Sequence, residues 1–172
     1  MKNRLHLPDG VDSFYDLIKS TENDRKKIII SDVDGILTTG VLGYTKDGKA
    51  MKFFGGHDKE AINICVNLLG WDLKFVSDDR VGWDITESRL SHIKKMNPDK
   101  ISYEIADASS RANLVKEFKD KGYKVIFIGD SLSDIEALNL ADIAATTNNA
   151  ESLVKLFVDY VSPRNGGERR LR

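Results

Sequence analysis

Apolar positions along this chain come in two kinds of block, and the two kinds alternate. Ile28-Ile29-Ile30 is an unbroken β-branched run within Lys27–Ser31, the pattern of a strand covered on both faces at the centre of a parallel sheet. Similar short runs recur at Leu73–Val76, Ile101–Ile105 and Lys124–Ile128. Between them lie longer segments with helical spacing: Asp58, a candidate cap, to about Leu69, Val81–Lys95 closed by Asn97-Pro98, Ser110–Lys121, and Ser131–Leu140. Short elements lead from there to the C-terminus. Strands alternating with helices predict the α/β class, a doubly wound (Rossmann-like) parallel sheet with helices on both faces.

One pair of runs breaks the alternation. Val41–Thr45 and Ala50–Phe54 are extended segments joined through Asp47-Gly48, a strong hairpin signal, so a β-hairpin flap follows the first strand. The hairpin and one helix fill the interval between Asp34 and Ser77, leaving no room for a separate cap domain. Residues 1–26 read as an N-terminal extension in which Val11, Phe14, Leu17 and Ile18 mark one stripe of a short helix. Residues 27–163 form the main domain, and 164–172 are a basic tail containing Arg164, Arg169, Arg170 and Arg172.

Composition narrows the partners. At 172 residues the chain supports one well-buried domain. Its 26 Lys plus Arg nearly cancel 27 Asp plus Glu, so no global field favours a long polynucleotide or an anionic membrane, and a small ligand is expected. The lone Cys65 has no intrachain disulfide partner and suits a reducing compartment. Without a signal-like apolar block or a run near the ~20 apolar residues a membrane span needs, a cytoplasmic protein is expected.

The candidate chemistry sits at strand ends. Asp32 and Asp34, two residues apart, project to one side where the Ile28–Ile30 strand stops, and open α/β sheets place ligands beyond the carboxyl ends of their strands. Gly35 next to them permits close backbone approach to a bound phosphate, although Asp-Gly also simply turns the chain. Val125–Gly129 is a second buried strand ending in a carboxylate, Asp130, with Asp134 one turn further on. Converging carboxylates form the hard oxygen shell that Mg2+ prefers, while Ser131 to Asp134 also fits a helix N-terminal cap. Ser77 ends another strand and offers a hydroxyl to a phosphoryl oxygen, or a plain cap to the next helix. Arg111, near the start of a helix, can neutralise crowded carboxylates and orient a phosphoryl group. Charge then suggests a mechanism in which Asp32 attacks phosphorus and Asp34 shuttles the proton. Mg2+ would be held by Asp32, the main-chain carbonyl of Asp34, Asp130 and Asp134.

With Asp32-x-Asp34-Gly35, Ser77, Arg111 and Gly129-Asp130-x-x-x-Asp134 in this order, the chain resembles the haloacid dehalogenase superfamily of aspartyl-phosphate hydrolases over roughly Ile28–Gly167. Asp32 through Gly40, the hairpin, Phe54 four residues before Asp58, and Gly166-Gly167 resemble its cap-less branch, typified by 3-deoxy-D-manno-octulosonate 8-phosphate phosphatase. The resemblance implies a Mg2+-dependent phosphatase of sugar-acid phosphates of that type or of the nonulosonate 9-phosphate type. It also implies a homotetramer in which a neighbour's surface closes the site. Several residues depart from the branch pattern. Ser77-Asp78-Asp79-Arg80 stands for Thr-Gly-Arg, Asp58-Lys59 for Asp-Gly, His57 for Arg, and Arg111 for Lys. On this reading Gly35, Ser77, Asp78, His57 and Arg80 contact substrate. The alternatives are a phosphatase for nucleotides or nucleic-acid 3′ ends, or a non-catalytic oligomerising module of the same fold.

Overall fold

A computed structural model describes residues 25–168. The expected N-terminal helix around Val11–Ile18 and the arginines 169, 170 and 172 lie outside that range.

Six parallel strands form the main sheet. They are β1 (Lys27–Asp32), β4 (Asp72–Ser77), β5 (Ile101–Ile105), β6 (Lys124–Ile128), β7 (Ile143–Thr146) and β8 (Tyr160–Val161), in the order β5-β4-β1-β6-β7-β8. Strands β2 (Thr38–Thr45) and β3 (Gly48–Phe54) pair antiparallel as the separate two-stranded flap. The helices are α1 (Asp58–Asn63), prolonged by a π-helical turn over Ile64–Leu68, then α2 (Trp83–Lys94), α3 (Ala108–Asp120) and α4 (Ile135–Leu140). The predicted α/β fold, doubly wound with a hairpin flap, is the fold found.

The isoleucine run explains why β1 is central. Ile29 joins one buried cluster with Ile62, Val66, Leu90 and Ile93 of α1, its extension and α2. Ile28 and Ile30 point the other way, into a cluster with Val115, Ala137 and Leu138 of α3 and α4. A period of two thus divides three consecutive isoleucines between two cores, and each fully buried side chain contributes roughly 1.5–3 kcal/mol.

Chain order places the site. From β1 the chain builds outward through β4 and β5, then returns through α3 to pair β6 with the opposite edge of β1. The order of the sheet therefore reverses at β1, whose carboxyl end opens into the crevice where doubly wound folds bind ligands.

Some local expectations need correction. Asp58 does not cap α1: His57 occupies the cap position without a side-chain bond, and Asp58 lies in the first turn. The Ser131–Leu140 segment opens with a 3-10 turn, Leu132–Asp134, before α4. Ser77 does not cap α2, which is preceded by Gly82. Residues 164–168 are joined to the main body by backbone bonds: Asn148 N–H donates to Arg164 O (2.9 Å) and Gly167 N–H to Ile36 O (3.1 Å).

Candidate active site

Asp32 is the last residue of β1 and is 4% exposed. Pairing of Asp32 with Val76 of β4, and of the preceding Ser31 with Ile128 of β6, fixes its backbone, and its Oδ1 accepts from Val33 N–H at 2.8 Å. Arg111 approaches from the first turn of α3, where Asp107 caps the helix by accepting from Ser110 N–H. Its guanidinium spans both oxygens of Asp32, at 3.2 and 3.3 Å, and its Nη1 also donates to Asp134 Oδ1 at 2.5 Å. Nε is anchored on Ala106 O at 3.0 Å, which sets the planar fork in one orientation. Arg111 itself is 1% exposed, so a fixed cation lies beneath the Asp32 carboxylate rather than on the surface.

Asp130 follows β6, and the loop after it is organised by Asp134. Asp134 Oδ2 accepts from Asp130 N–H, Ser131 N–H and Ser131 Oγ at 3.1, 3.1 and 2.9 Å. The capping box expected for Ser131 and Asp134 is therefore present, and the same carboxylate also reaches Arg111. Asp32, Asp130 and Asp134 each bring one carboxylate oxygen within 4.8 Å of the others.

This crowding is reflected in protonation. Burial, then the charge of Asp134, pushes the Asp32 carboxyl well above its ordinary value, against the pull of Arg111 and Val33 N–H. Burial and Asp134 likewise push Asp130 up to about 6. Three acids thus share the partial compensation of one arginine, an all-oxygen set with charge left over. A hard divalent cation fits it, and Mg2+ is the cation that suits such ligands.

Asp34 lies on the far side of the turn. Its Oδ2 accepts from Ser77 Oγ at 3.0 Å and from Lys52 Nζ at 2.7 Å. Gly35 follows with φ +84°, and a β-carbon there would lie 1.8 Å from Asp130 Oδ2, so glycine lets the β1 loop and the β6 acid meet.

Sequence reasoning thus named Asp32, Asp34, Gly35, Ser77, Arg111, Asp130 and Asp134, and the fold gathers all seven at the ends of β1, β4 and β6. Asp78 is at the rim, with its Oδ1 3.7 Å from Arg111 Nη2 and its side chain 59% exposed. Arg80 is exposed, and its charge adds a minor pull, after the hydrogen bonds from Ser110 and Ser109, to the lowering of the Asp107 carboxyl. The His57 ring lies 3.4 Å from Glu60, a contact within its own helix.

Sequence reasoning missed Lys52. Its Nζ donates to Asp34, to Thr86 Oγ1 at 2.8 Å and to Asp79 Oδ2 at 2.8 Å, with the side chain 0% exposed. The signal was in the hairpin pattern. Period two sets Lys52 on the inward face with Phe54 while Met51 and Phe53 face out, an inversion of the usual polarity.

A carboxylate cluster at the switch point of a doubly wound sheet defines the class of protein. Residues 75–167 match the haloacid dehalogenase-like hydrolases, and the chain belongs to that family. A curated relative, 3-deoxy-D-manno-octulosonate 8-phosphate phosphatase of Haemophilus influenzae, is 29% identical over 150 residues, spanning 85% of this chain and 78% of its own. The cobalt-bound structure of the deoxy-D-mannose-octulosonate 8-phosphate phosphatase from H. influenzae superposes with TM-score 0.68 at 24% identity, covering 84% of this chain and 81% of that one. The 3-deoxy-D-manno-octulosonate 8-phosphate phosphatase of Moraxella catarrhalis, solved with magnesium, phosphate and the sugar acid, gives 0.67 at 22% identity, covering 83% and 79%. These two structures share the fold. Among the described residues no helix is long and apolar enough to cross a membrane.

Proposed function

We propose that this protein is a Mg2+-dependent phosphomonoesterase that works through an aspartyl-phosphate on a small phosphorylated metabolite, most specifically a sugar-acid phosphate. The observation that carries the reading is the buried Asp32 carboxylate, gripped by both arms of Arg111 and facing Asp130 and Asp134, with Asp34 two residues away. Similarity to a sugar-acid phosphate phosphatase supports the substrate class.

Asp32, Asp130, the main-chain carbonyl of Asp34 and, at the base of the cluster, Asp134 would hold the metal. When bound, Mg2+ offsets the repulsion between the carboxylates and the phosphoryl oxygens. An oxygen of Asp32 attacks phosphorus in line, a new acyl–phosphate bond forms, and the bond to the leaving alkoxide breaks. The protonated Asp34 gives its proton to that alkoxide, which departs as the alcohol. A water then attacks the phosphorus, Asp34 takes its proton, and inorganic phosphate leaves with Asp32 restored. Arg111 keeps the Asp32 carboxylate in one orientation throughout, and Ser77 does the same for Asp34. A cytoplasmic homotetramer is part of this proposal: the single Cys65 is free, and the flap presents apolar side chains.

The test is phosphate release from a panel of sugar phosphates, sugar-acid phosphates and nucleotides, with Mg2+ or chelator, using Asp32→Asn as the blank. Metal-dependent release that disappears in a folded Asp32→Asn chain is the expected result. Full activity in that variant would sink the mechanism, and preference for mononucleotides would move the substrate class.

A further inference from the structure

Lys52 is a cation with all three protons committed. The ammonium meets Asp34 Oδ2 at 2.7 Å, Asp79 Oδ2 at 2.8 Å and Thr86 Oγ1 at 2.8 Å, which uses the full donor capacity of a lysine. A buried charge is tolerated only when so paired, and removing one partner leaves the others exposed to the full cost of desolvation. This lysine is on the flap, whereas two of its partners belong to β4's following loop and to α2. It therefore ties three elements together at the carboxylate assigned to proton transfer.

Asp79 is the anchor of the tie. Its Oδ2 also receives Lys49 Nζ at 2.5 Å, and its Oδ1 accepts from Gly82 N–H at 3.0 Å. A β-carbon at Gly82 would come within 2.4 Å of Asp79 Oδ2 and 2.7 Å of the Lys49 chain, so the latch needs that glycine. Burial works against ionisation of Asp79, but the hydrogen bonds from Lys49, Lys52 and Gly82 outweigh it and hold the carboxyl down at about 2. The acid that departs from the branch pattern in the second motif is thus neutralised by two lysines of the flap instead of adding free negative charge beside the phosphate.

The geometry points to Lys52, latched by Asp79, as a positioning residue that fixes the Asp34 carboxylate for proton transfer to the leaving group. This rests on the phosphatase reading given above. Lys52 and Ser77 both donate to Oδ2 of Asp34, whereas among the described residues Oδ1 has only Thr38 Oγ1 at 3.5 Å, a weak contact. Oδ1 is therefore the oxygen presented to substrate. Without Lys52 the side chain can rotate away from the line of the scissile bond.

The consequence depends on the leaving group. An alkoxide needs a proton as it departs, whereas 4-nitrophenolate is a weak base and leaves unprotonated. The experiment compares kcat/KM for an alkyl phosphate ester, the best sugar phosphate of the panel, with that for 4-nitrophenyl phosphate in wild type, Lys52→Met, Lys52→Arg and Asp79→Asn. Expected for Lys52→Met is a loss on the alkyl ester at least about tenfold greater than on the aryl ester, carried in kcat and not KM, since positioned proton transfer contributes about 10²–10⁴. Lys52→Arg restores part of the ratio. Asp79→Asn, which keeps the buried cation but removes its anchor, shifts the ratio in the same direction by a smaller factor, so the test survives if Lys52→Met does not fold.

Equal losses on both esters in these variants, or no loss, overturn the assignment and leave the phosphatase reading standing. Wild-type silence on both esters overturns that reading, and this assignment with it.

Discussion

At the scale of single residues, Gly35 shows how closely the acids are packed. Its φ of +84° would strain an L residue by about 1–2 kcal/mol, and a side chain would also collide with Asp130 Oδ2. Asp130 would have to swing out of the cluster it shares with Asp32 and Asp134. Gly35→Ala is therefore expected to weaken Mg2+ binding by about tenfold or more, consistent with the loss of a hard-oxygen ligand, and to lower the denaturant midpoint. Calorimetric titration with Mg2+ checks the first, and wild-type affinity would show that Asp130 is not a ligand. The carboxylates were legible in the sequence because an acid directly after a buried strand has few structural uses. For Lys52 the sequence held only the inward register of the hairpin, since lysines in hairpins are ordinarily solvated and the three acceptors around this one come from distant segments. His57 was singled out by alignment with the branch pattern, and its ring lies 3.4 Å from Glu60.

At the scale of elements, strands β5 and β6 were legible to the residue, and β1 and β4 nearly so, because the apolar runs of β1 and β6 are continuous and those of β4 and β5 are broken only by single polar residues. Strands β7 and β8 were not, since Ile143-Ala-Ala-Thr146 carries little β signal and Tyr160-Val161 is only a bridge-length pair. β7 is a strand because the edge of β6 is there to pair with, and β8 because the edge of β7 is, a tertiary cause. Helix α1 carries a different cost. Asp58 stands in its first turn, where an acid is favoured, yet its Oδ2 is buried without a hydrogen bond and Arg89 is 4.0 Å away. Burial pushes this carboxyl up to about 6 from the ordinary 3.8, with Arg89 and His57 pulling the other way. The folded chain therefore binds the proton more tightly than the unfolded one, so stability from this group is greatest below about pH 4, falls as pH rises through about 6, and stays low above it. A shift of roughly two pH units corresponds to at most about 3 kcal/mol, reduced by the partial exposure of the side chain. Asp58→Asn should raise the urea midpoint relative to wild type at pH 7.5 and lose that advantage near pH 4. A variant less stable than wild type at pH 7.5 would show that the Arg89 pairing outweighs burial.

At the scale of the whole molecule, the reversal of sheet order at β1 brings residues as far apart in sequence as Asp32, Arg111 and Asp134 together. That convergence followed from strand–helix alternation, and the short interval after Asp34 correctly excluded an inserted cap. The flap takes that place, and its polarity is inside out. Val41, Tyr44, Met51 and Phe53 are 60, 66, 49 and 48% exposed, whereas Lys52 is buried against the body. A two-stranded ribbon is marginal alone in water, and an outward apolar face of this kind calls for a covering surface. Leu68, on the π-helical turn that prolongs α1, adds to the exposed apolar area at 76%. In the proposed homotetramer, self-association of the flaps would supply the cover by burying the roughly 800 Å² per partner of a stable interface. Sedimentation velocity should therefore show a four-chain species, and Tyr44→Asp with Phe53→Asp should shift it towards single chains. Because the same flap carries Lys49 and Lys52 to Asp79 and Asp34, dissociation should also slow turnover of alkyl phosphates, and specific activity should fall on dilution. A wild-type chain that sediments as a monomer at high concentration with undiminished activity would show that the latch on Asp79 holds the flap unaided.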